Sequence, residues 1–491
     1  MIFILPVISA ILMLIPAYNP QYYFLAWFAL LPLLYGFKSI NGRKSLRLQG
    51  YIFGVIYFFG ISYWIYHPLD IFGGMPLPLA LLLLILLAGL LALFFVLWTE
   101  VFHLFGGKNS FSPFLLALTW TGIEYFRYLV LSDFPFGFAG YTQAELIPLL
   151  QLADIGGVFL ISFIVLLVNG YLFKMIYYRR LRSVASLVVL IIIVGAYGGV
   201  NYYQYRNQDY EEITTGIVYT DIPQDEKWRS DLIEQRIDEL FEPVENKEEV
   251  DLFITPESGL TFDYVRNEYY REKFLERLET VNSYFAVGSL SRLQDEETRR
   301  YNSVFLFSPK GKQEQRYNKN RLVLFGEYFP LRDYITKVIN IPFRNLLSGK
   351  EATIFSSPDA AWMTLVCSEV LFPELTASKK ADFIANQTNE AWFRKSGLHQ
   401  LMWSASVFRA VEQRKSVVRA GNRSLNGLVS PSGRQVKFIA EGTTNFKQLD
   451  VPLHRKETFY QRFGHRFGLV VLLITGLLLV VRIIPVSEFS K

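Results

Sequence analysis

Apolar residues run in long unbroken blocks through the first two hundred positions, break up into short alternating runs, and return in one more block near the end. The blocks at 3–17, 22–37, 51–67, 77–104, 112–131, 157–177 and 184–203 read as helices crossing a hydrocarbon core about 30 Å thick. With 467–481 they predict about eight transmembrane helices. The block 77–104 is the clearest, and 3–17 is short. The opening segment lacks a basic start and a small-residue cleavage site, so it reads as a retained span rather than a cleaved leader.

Between the seventh and eighth blocks the pattern changes. Short β-branched or aromatic runs recur: T-T-G-I-V-Y-T, D-L-F-I-T, Y-F-A-V-G-S-L, N-S-V-F-L-F, W-M-T-L-V and A-D-F-I-A-N. Amphipathic stretches at 231–241, 267–282 and 399–414 read as helices. Strands alternating with helices predict an α/β layered domain. The turns S-P-K-G-K and S-P-S-G-R predict antiparallel strand pairs near sheet ends. The expected division is 1–204 for seven spans, 205–460 for the water-soluble domain, and 461–491 for the last span and a tail.

Composition fits this division: 51% of the residues are hydrophobic and 19% charged. The net charge of +5 raises the question of nucleic acid, which the placement of the charges answers. Lys38, Arg43, Lys44, Arg47, Lys108, Lys174, Arg179, Arg180 and Arg182 fall in alternate loops, while the loops at 18–22 and 67–75 hold no Lys or Arg. The positive-inside rule then puts both termini in the cytoplasm and the large domain outside. Topology accounts for the basic residues, and no nucleic-acid partner is expected.

The chain has one cysteine, Cys367, in a domain expected on the oxidising side and without a partner for a disulfide. Cys367 follows the strand-like W-M-T-L-V, Glu257 follows D-L-F-I-T-P, and Lys319 lies just beyond a predicted hairpin. Alone, each has an ordinary reading, as a small core hydrophobe, a solvated loop acid and a surface lysine. Strand exits are where α/β sheets open into crevices. There Glu257 could serve as general base, Cys367 as nucleophile and Lys319 as stabiliser of a tetrahedral oxyanion. The Ser368 N–H is a second candidate donor. This chemistry is acyl transfer through a thioester. It calls for no cofactor, and the five histidines lack metal-ligand spacing.

The order T-P-E-S, Y-N-K followed by F-G-E-Y-F-P, V-C-S-E and Q-T-N-E-A-W-F resembles the nitrilase (carbon–nitrogen hydrolase) superfamily. Together with the spans, the resemblance is to its membrane-bound apolipoprotein N-acyltransferases, and it covers nearly the whole chain. F-P-F-G-F-A-G-Y-T-Q, D-I-P-Q-D-E-K-W and F-R-A-V-E-Q-R-K-S-V-V-R-A-G-N fit the same order. The resemblance implies Cys367 as nucleophile, Glu257 as base and Lys319 as stabiliser. It implies Glu327 as an orienting acid and Glu369 as a support beside the nucleophile. Trp228 and Asn302 match positions the family associates with its active site. Ser368 stands where tyrosine is common, and Glu390 where aspartate is commoner.

The resemblance further implies a phospholipid acyl donor, a diacylglyceryl-modified lipoprotein acceptor and a monomer in the bacterial inner membrane, its catalytic domain periplasmic. The segment 340–349 reads as a lid over the acyl path. Two other classes stay open. A membrane-tethered amidase would use the same trio with water as acceptor. A transporter would use ionisable groups within its spans, for which Glu100, His103, Glu124 and Arg127 are the candidates.

Overall fold

The computed structural model describes residues 2–40, 42–71, 73–105, 111–180, 182–245, 247, 249–292, 299–329, 345–351, 353–377, 380–440, 442 and 444–483. The chain divides into two compact units. One comprises residues 1–207, 395–412 and 458–491, and the other 208–394 and 413–457.

The first unit is helical. Among the described residues, Arg43–Asp70, Leu77–Leu104, Ala153–Tyr178, Arg182–Arg206 and Gly464–Arg482 are long and apolar enough to cross a membrane. Leu86, Leu90, Ile191, Ile192, Leu473 and Leu477 stand exposed on them, as lipid-facing side chains would. Close approach on the inner faces relies on small residues. A Cβ on Gly54 would lie 2.7 Å from that of Ala92 on the neighbouring helix.

The other three expected spans differ from long apolar helices. Ile4–Tyr18 is apolar but has only 15 residues. The stretch 22–37 is broken into a 3₁₀ segment, Pro20–Trp27, and a nine-residue helix, Leu31–Ser39, with Pro32 in its first turn. Proline suits a helix start and interrupts a helix interior, so the apolar run predicts the length but not the break. Pro113–Val130 carries Glu124 and Arg127, which fasten the loop that follows. Glu124 accepts from Ala139 N at 2.9 Å, and Arg127 donates to the Phe134 and Phe136 carbonyls at 3.1 and 2.7 Å. Glu100 pairs with Arg43 and Arg47. These groups have structural work.

The second unit holds two sheets. One is built from β1 (Glu212–Tyr219), β2 (Leu252–Ile254), β3 (Leu260–Asp263), β4 (Tyr284–Arg292), β5 (Arg300–Phe307), β6 (Gln313–Asn318) and, late in the chain, β13 (Asn445–Pro452). Its order is β13-β1-β2-β4-β5-β6, with β3 beside β4. The other contains β7 (Ile354–Ser356), β8 (Ala361–Val366), β9 (Phe383–Asn389), β10 (Ser416–Asn422), β11 (Leu425–Val429) and β12 (Gln435–Ile439), in the order β12-β11-β10-β9-β8-β7. Each is parallel at its centre and antiparallel toward its margins. The two S-P-x-G turns close β5–β6 and β11–β12 with matching hydrogen bonds, and Gly311 and Gly433 supply the positive φ.

Strand alternation decides what each face packs against. Ile254, Val304 and Leu306 join Trp362, Val366, Phe383 and Val418 in a core built from both sheets. Phe253, Phe285, Phe305 and Phe307, pointing the other way, pack on the helices Ile233–Phe241 and Glu268–Leu278. These are the α/β layers predicted, and the strand exits bring distant polar residues together.

Candidate active site

Glu257 sits in the turn between β2 and β3, where Ser258 has a φ of 51°. The turn presses on β4, and a Cβ on Gly288 would stand 2.6 Å from Ser258 N. Both Glu257 oxygens are engaged. Oε1 accepts from Asn302 Nδ2 at 2.7 Å, and Oε2 from Asn389 N at 2.9 Å. Lys319 Nζ lies 3.6 Å from Oε1.

Lys319 leaves β6 as its N–H donates to Asn302 O at 2.8 Å. Its side chain is 1% exposed, and Nζ lies 2.9 and 2.8 Å from the two Glu327 oxygens. Burial works against the ammonium. Glu327, Glu257 and Cys367 outweigh it and raise the Lys319 pKa. Asn302 also donates to Glu327 at 3.0 Å, so one amide ties the two carboxylates together. The described part of the expected lid, 345–349, laces this side: Leu346 N donates to Glu327 O and Gly349 N to Lys319 O, each at 2.8 Å. Residues 340–344 lie outside the described residues.

Cys367 closes β8 at a φ of 53°, a left-handed conformation that a non-glycine residue adopts at a cost. Asn386 Nδ2 donates to its carbonyl at 3.1 Å. Burial, and after it the Glu257 charge, push the thiol up to about 12 against the opposing pull of Lys319 and a hydrogen bond with Thr388. The thiol is therefore protonated near neutrality, and a nucleophilic role would call for a base. Ser368 is half-buried in the 3₁₀ turn Cys367–Leu371.

Glu369 is fully buried and saturated. It accepts from Tyr317 Oη at 2.8 Å, Asn320 N at 2.7 Å, Arg321 N at 3.0 Å and Val366 N at 2.8 Å. It therefore holds the lysine's loop to the cysteine's turn. Glu390 forms an ion pair with Arg419, both 0% exposed.

Glu257, Lys319, Cys367, Glu327, Glu369 and Asn302 thus lie in one connected network. Trp228 is 40% exposed and lines an open cavity in which none of the trio takes part. The motif reading missed its neighbour Lys227, whose Nζ is buried and donates to Glu257 O at 3.0 Å. Burial lowers the Lys227 pKa to about 8. It also missed Thr388 and Asn389. Their signal is a strand, Phe383–Asn389, that ends in four consecutive polar residues and is buried throughout. Among the described residues no group of three or more His, Cys, Asp or Glu is placed to hold a metal ion.

A thiol, a carboxylate and an ammonium brought together at strand exits of a two-sheet α/β domain are the groups that thiol-dependent acyl transfer of the carbon–nitrogen hydrolase type would use. The family model for carbon–nitrogen hydrolases matches residues 219–438, and that for the apolipoprotein N-acyltransferase N-terminal domain matches 9–171. The apolipoprotein N-acyltransferase of Geobacter metallireducens is 30% identical over 95% of this chain and 92% of its own. That of Aquifex aeolicus is also 30% identical, over 82% of this chain and 90% of its own. An amidase from Nesterenkonia sp. aligns with 52% of this chain and 94% of its own, at 16% identity and a TM-score of 0.37. The chain belongs to the apolipoprotein N-acyltransferase family.

Proposed function

We propose that this acyltransferase moves an acyl chain from a membrane phospholipid, through a thioester on Cys367, to the α-amino group of a lipoprotein's N-terminal diacylglyceryl-cysteine. Glu257 takes the thiol proton as Sγ attacks the ester carbonyl. The oxyanion of the tetrahedral intermediate is met by Lys319 Nζ and the Ser368 N–H. Collapse breaks the ester C–O bond, and the glycerol oxygen leaves with the proton from Glu257, giving a lysophospholipid and S-acyl-Cys367. In the second half the amine attacks the thioester and Glu257 takes its proton. The Cys367 thiolate departs, regains that proton, and leaves an amide. Glu327 and Asn302 keep Lys319 and Glu257 in register, and Glu369 keeps the two loops together.

The observation that carries this reading is a protonated, backbone-strained Cys367 set against Glu257 and Lys319 in a chain with several membrane-length helices. Lipid substrates suit a membrane enzyme, since exposing acyl chains costs about 0.8 kcal/mol per CH₂. The remaining apolar segments complete eight crossings in this reading. Both termini are cytoplasmic and the catalytic domain is periplasmic, as the basic loops favour. All three reacting groups come from one chain, which suits a monomer.

The test is intact-protein mass spectrometry after incubation with phospholipid, for the parent, Cys367→Ala and Glu257→Gln. A thioester-labile adduct is expected on the parent alone, discharged by a diacylated lipopeptide into an N-acylated product. Discharge by water alone would identify a hydrolase, and no adduct at all would remove the acyl-donor reading.

A further inference from the structure

Beside the candidate active site, the unit of two sheets has an open cavity of about 430 Å³. Its walls include Trp228, Asp263, Arg266, Leu290, Arg292 and Arg300. None of the catalytic roles assigned above needs these arginines. We infer that this cavity seats the phosphodiester of the donor lipid's headgroup while the ester is presented to Cys367, an inference that rests on the phospholipid reading of the donor.

The register of β4 and β5 places the cavity. Leu290 pairs with Asn302, the residue that holds Glu257, and Arg292 pairs with Arg300. Directly paired residues share a face, as do residues two apart on one strand. Arg300 therefore lies on the face of Asn302, about 7 Å further along at the usual strand rise. That offset is comparable to the glycerol unit separating phosphate from acyl ester in a glycerophospholipid. A single peptide bond links the two places as well: Leu347 N donates to Arg300 O at 2.7 Å, one residue after Leu346 reaches Glu327.

The charges are arranged to take an anion. Arg300 forms no ion pair among the described residues. Burial and the neighbouring Arg292 disfavour its charge by more than the nearby Asp263 supports it, a cost that an anion between the two guanidinium groups would relieve. Arg292 Nε and Asp263 Oδ2 are 3.2 Å apart but not aligned for a hydrogen bond. The other Asp263 oxygen is occupied by Val265 N and Arg292 N, at 3.2 and 3.4 Å. Glu268, also on the wall, is 75% exposed and 3.6 Å from Arg271. Guanidinium groups bind phosphate oxygens in forked pairs. Trp228 offers an apolar wall at the cavity, which gives this exposed aromatic a role outside the trio.

The experiment compares two donors with identical acyl chains, phosphatidylglycerol and diacylglycerol, on the full-length protein in mixed micelles, reading the rate of adduct formation on Cys367. The parent is expected to prefer the phospholipid by roughly tenfold or more. Arg300→Gln should cut that preference at least several-fold by raising the half-saturating phosphatidylglycerol concentration, and Arg300→Lys should keep most of it. Arg292→Gln provides a second site should Arg300→Gln fold poorly. A donor preference unchanged in both Gln variants overturns the inference, as does an equal slowing with both donors. If Arg300→Gln abolishes binding of inorganic phosphate but leaves the donor preference intact, the cavity serves a free anion and the headgroup assignment falls. A parent that forms no adduct with either lipid defeats the acyl-donor reading, and this inference falls with it.

Discussion

The two sheets contribute differently to the candidate site. The first carries its charges: Glu257 beyond β2, Lys319 beyond β6, and Asn302 on β5 between them, with Glu327 clamping the ammonium. The second carries a strained thiol and neutral groups: Cys367 at a φ of 53°, and Asn386, Thr388 and Asn389 at the end of β9. The buried carboxylates near it are both engaged, Glu369 by Tyr317 Oη and the N–H groups of Asn320, Arg321 and Val366, and Glu390 by Arg419. Burial in the second sheet, with the Glu257 charge of the first beside it, keeps the thiol protonated at rest, and in the proposed reaction the developing negative charge would meet groups already fixed in place.

Glu257→Gln breaks that division most severely. Acylation of Cys367 by phospholipid should fall about 10³-fold, the usual worth of a positioned base. Yet Glu257 raises the thiol pKa, so its neutralisation lowers it, and alkylation by iodoacetamide at pH 8 should become faster than in the parent. Opposite movement of the two rates is the signature, and parallel loss would mean general damage.

Glu369→Ala attacks the tie between the sheets. It leaves Tyr317 Oη and the N–H groups of Asn320, Arg321 and Val366 buried without their acceptor. A stability loss of about 3–5 kcal/mol is expected by chemical denaturation, with Glu369→Gln costing less.

Lys227 sharpens the comparison through pH. Its pKa is about 8 in the folded chain against an ordinary 10.5, so between those values the unfolded chain binds more protons. Stability should therefore rise as pH climbs from about 8 to 10.5, by on the order of 3 kcal/mol at most. Lys227→Met should lack that rise when unfolding is followed across the window. The smallest expected effect is that of Asn302→Ala, which unties Glu257 from Glu327 and should lower the acylation rate about tenfold, near 1.4 kcal/mol. The half-saturating lipid concentration should stay unchanged, as steady-state kinetics can check.

The strand-exit reading places Glu257 and Cys367 because each follows a short apolar run whose end is visible locally, and Lys319 because it comes just after a hairpin. The S-P-x-G turns are legible for the same reason, since a hairpin turn carries its own chemistry. Other features depend on partners far along the chain. Lys227 looks like one more charge in D-E-K-W until Glu257, thirty residues on, receives its ammonium. Glu369 reads as a neighbour of the nucleophile, but its partners Tyr317, Asn320 and Arg321 come from β6 and the loop beyond it. The apolar run at 22–37 conceals a broken helix, because hydropathy averages over Pro32, which starts the second helix.

The pairing of β1 with β13 has one more consequence. Glu212 faces Pro452 and Tyr219 faces Asn445, so the strand by which the chain enters this sheet lies beside the strand by which it leaves. Because two stretches so far apart in the chain share one antiparallel ladder, fraying from either end of the sheet's strand set has to break the same row of hydrogen bonds.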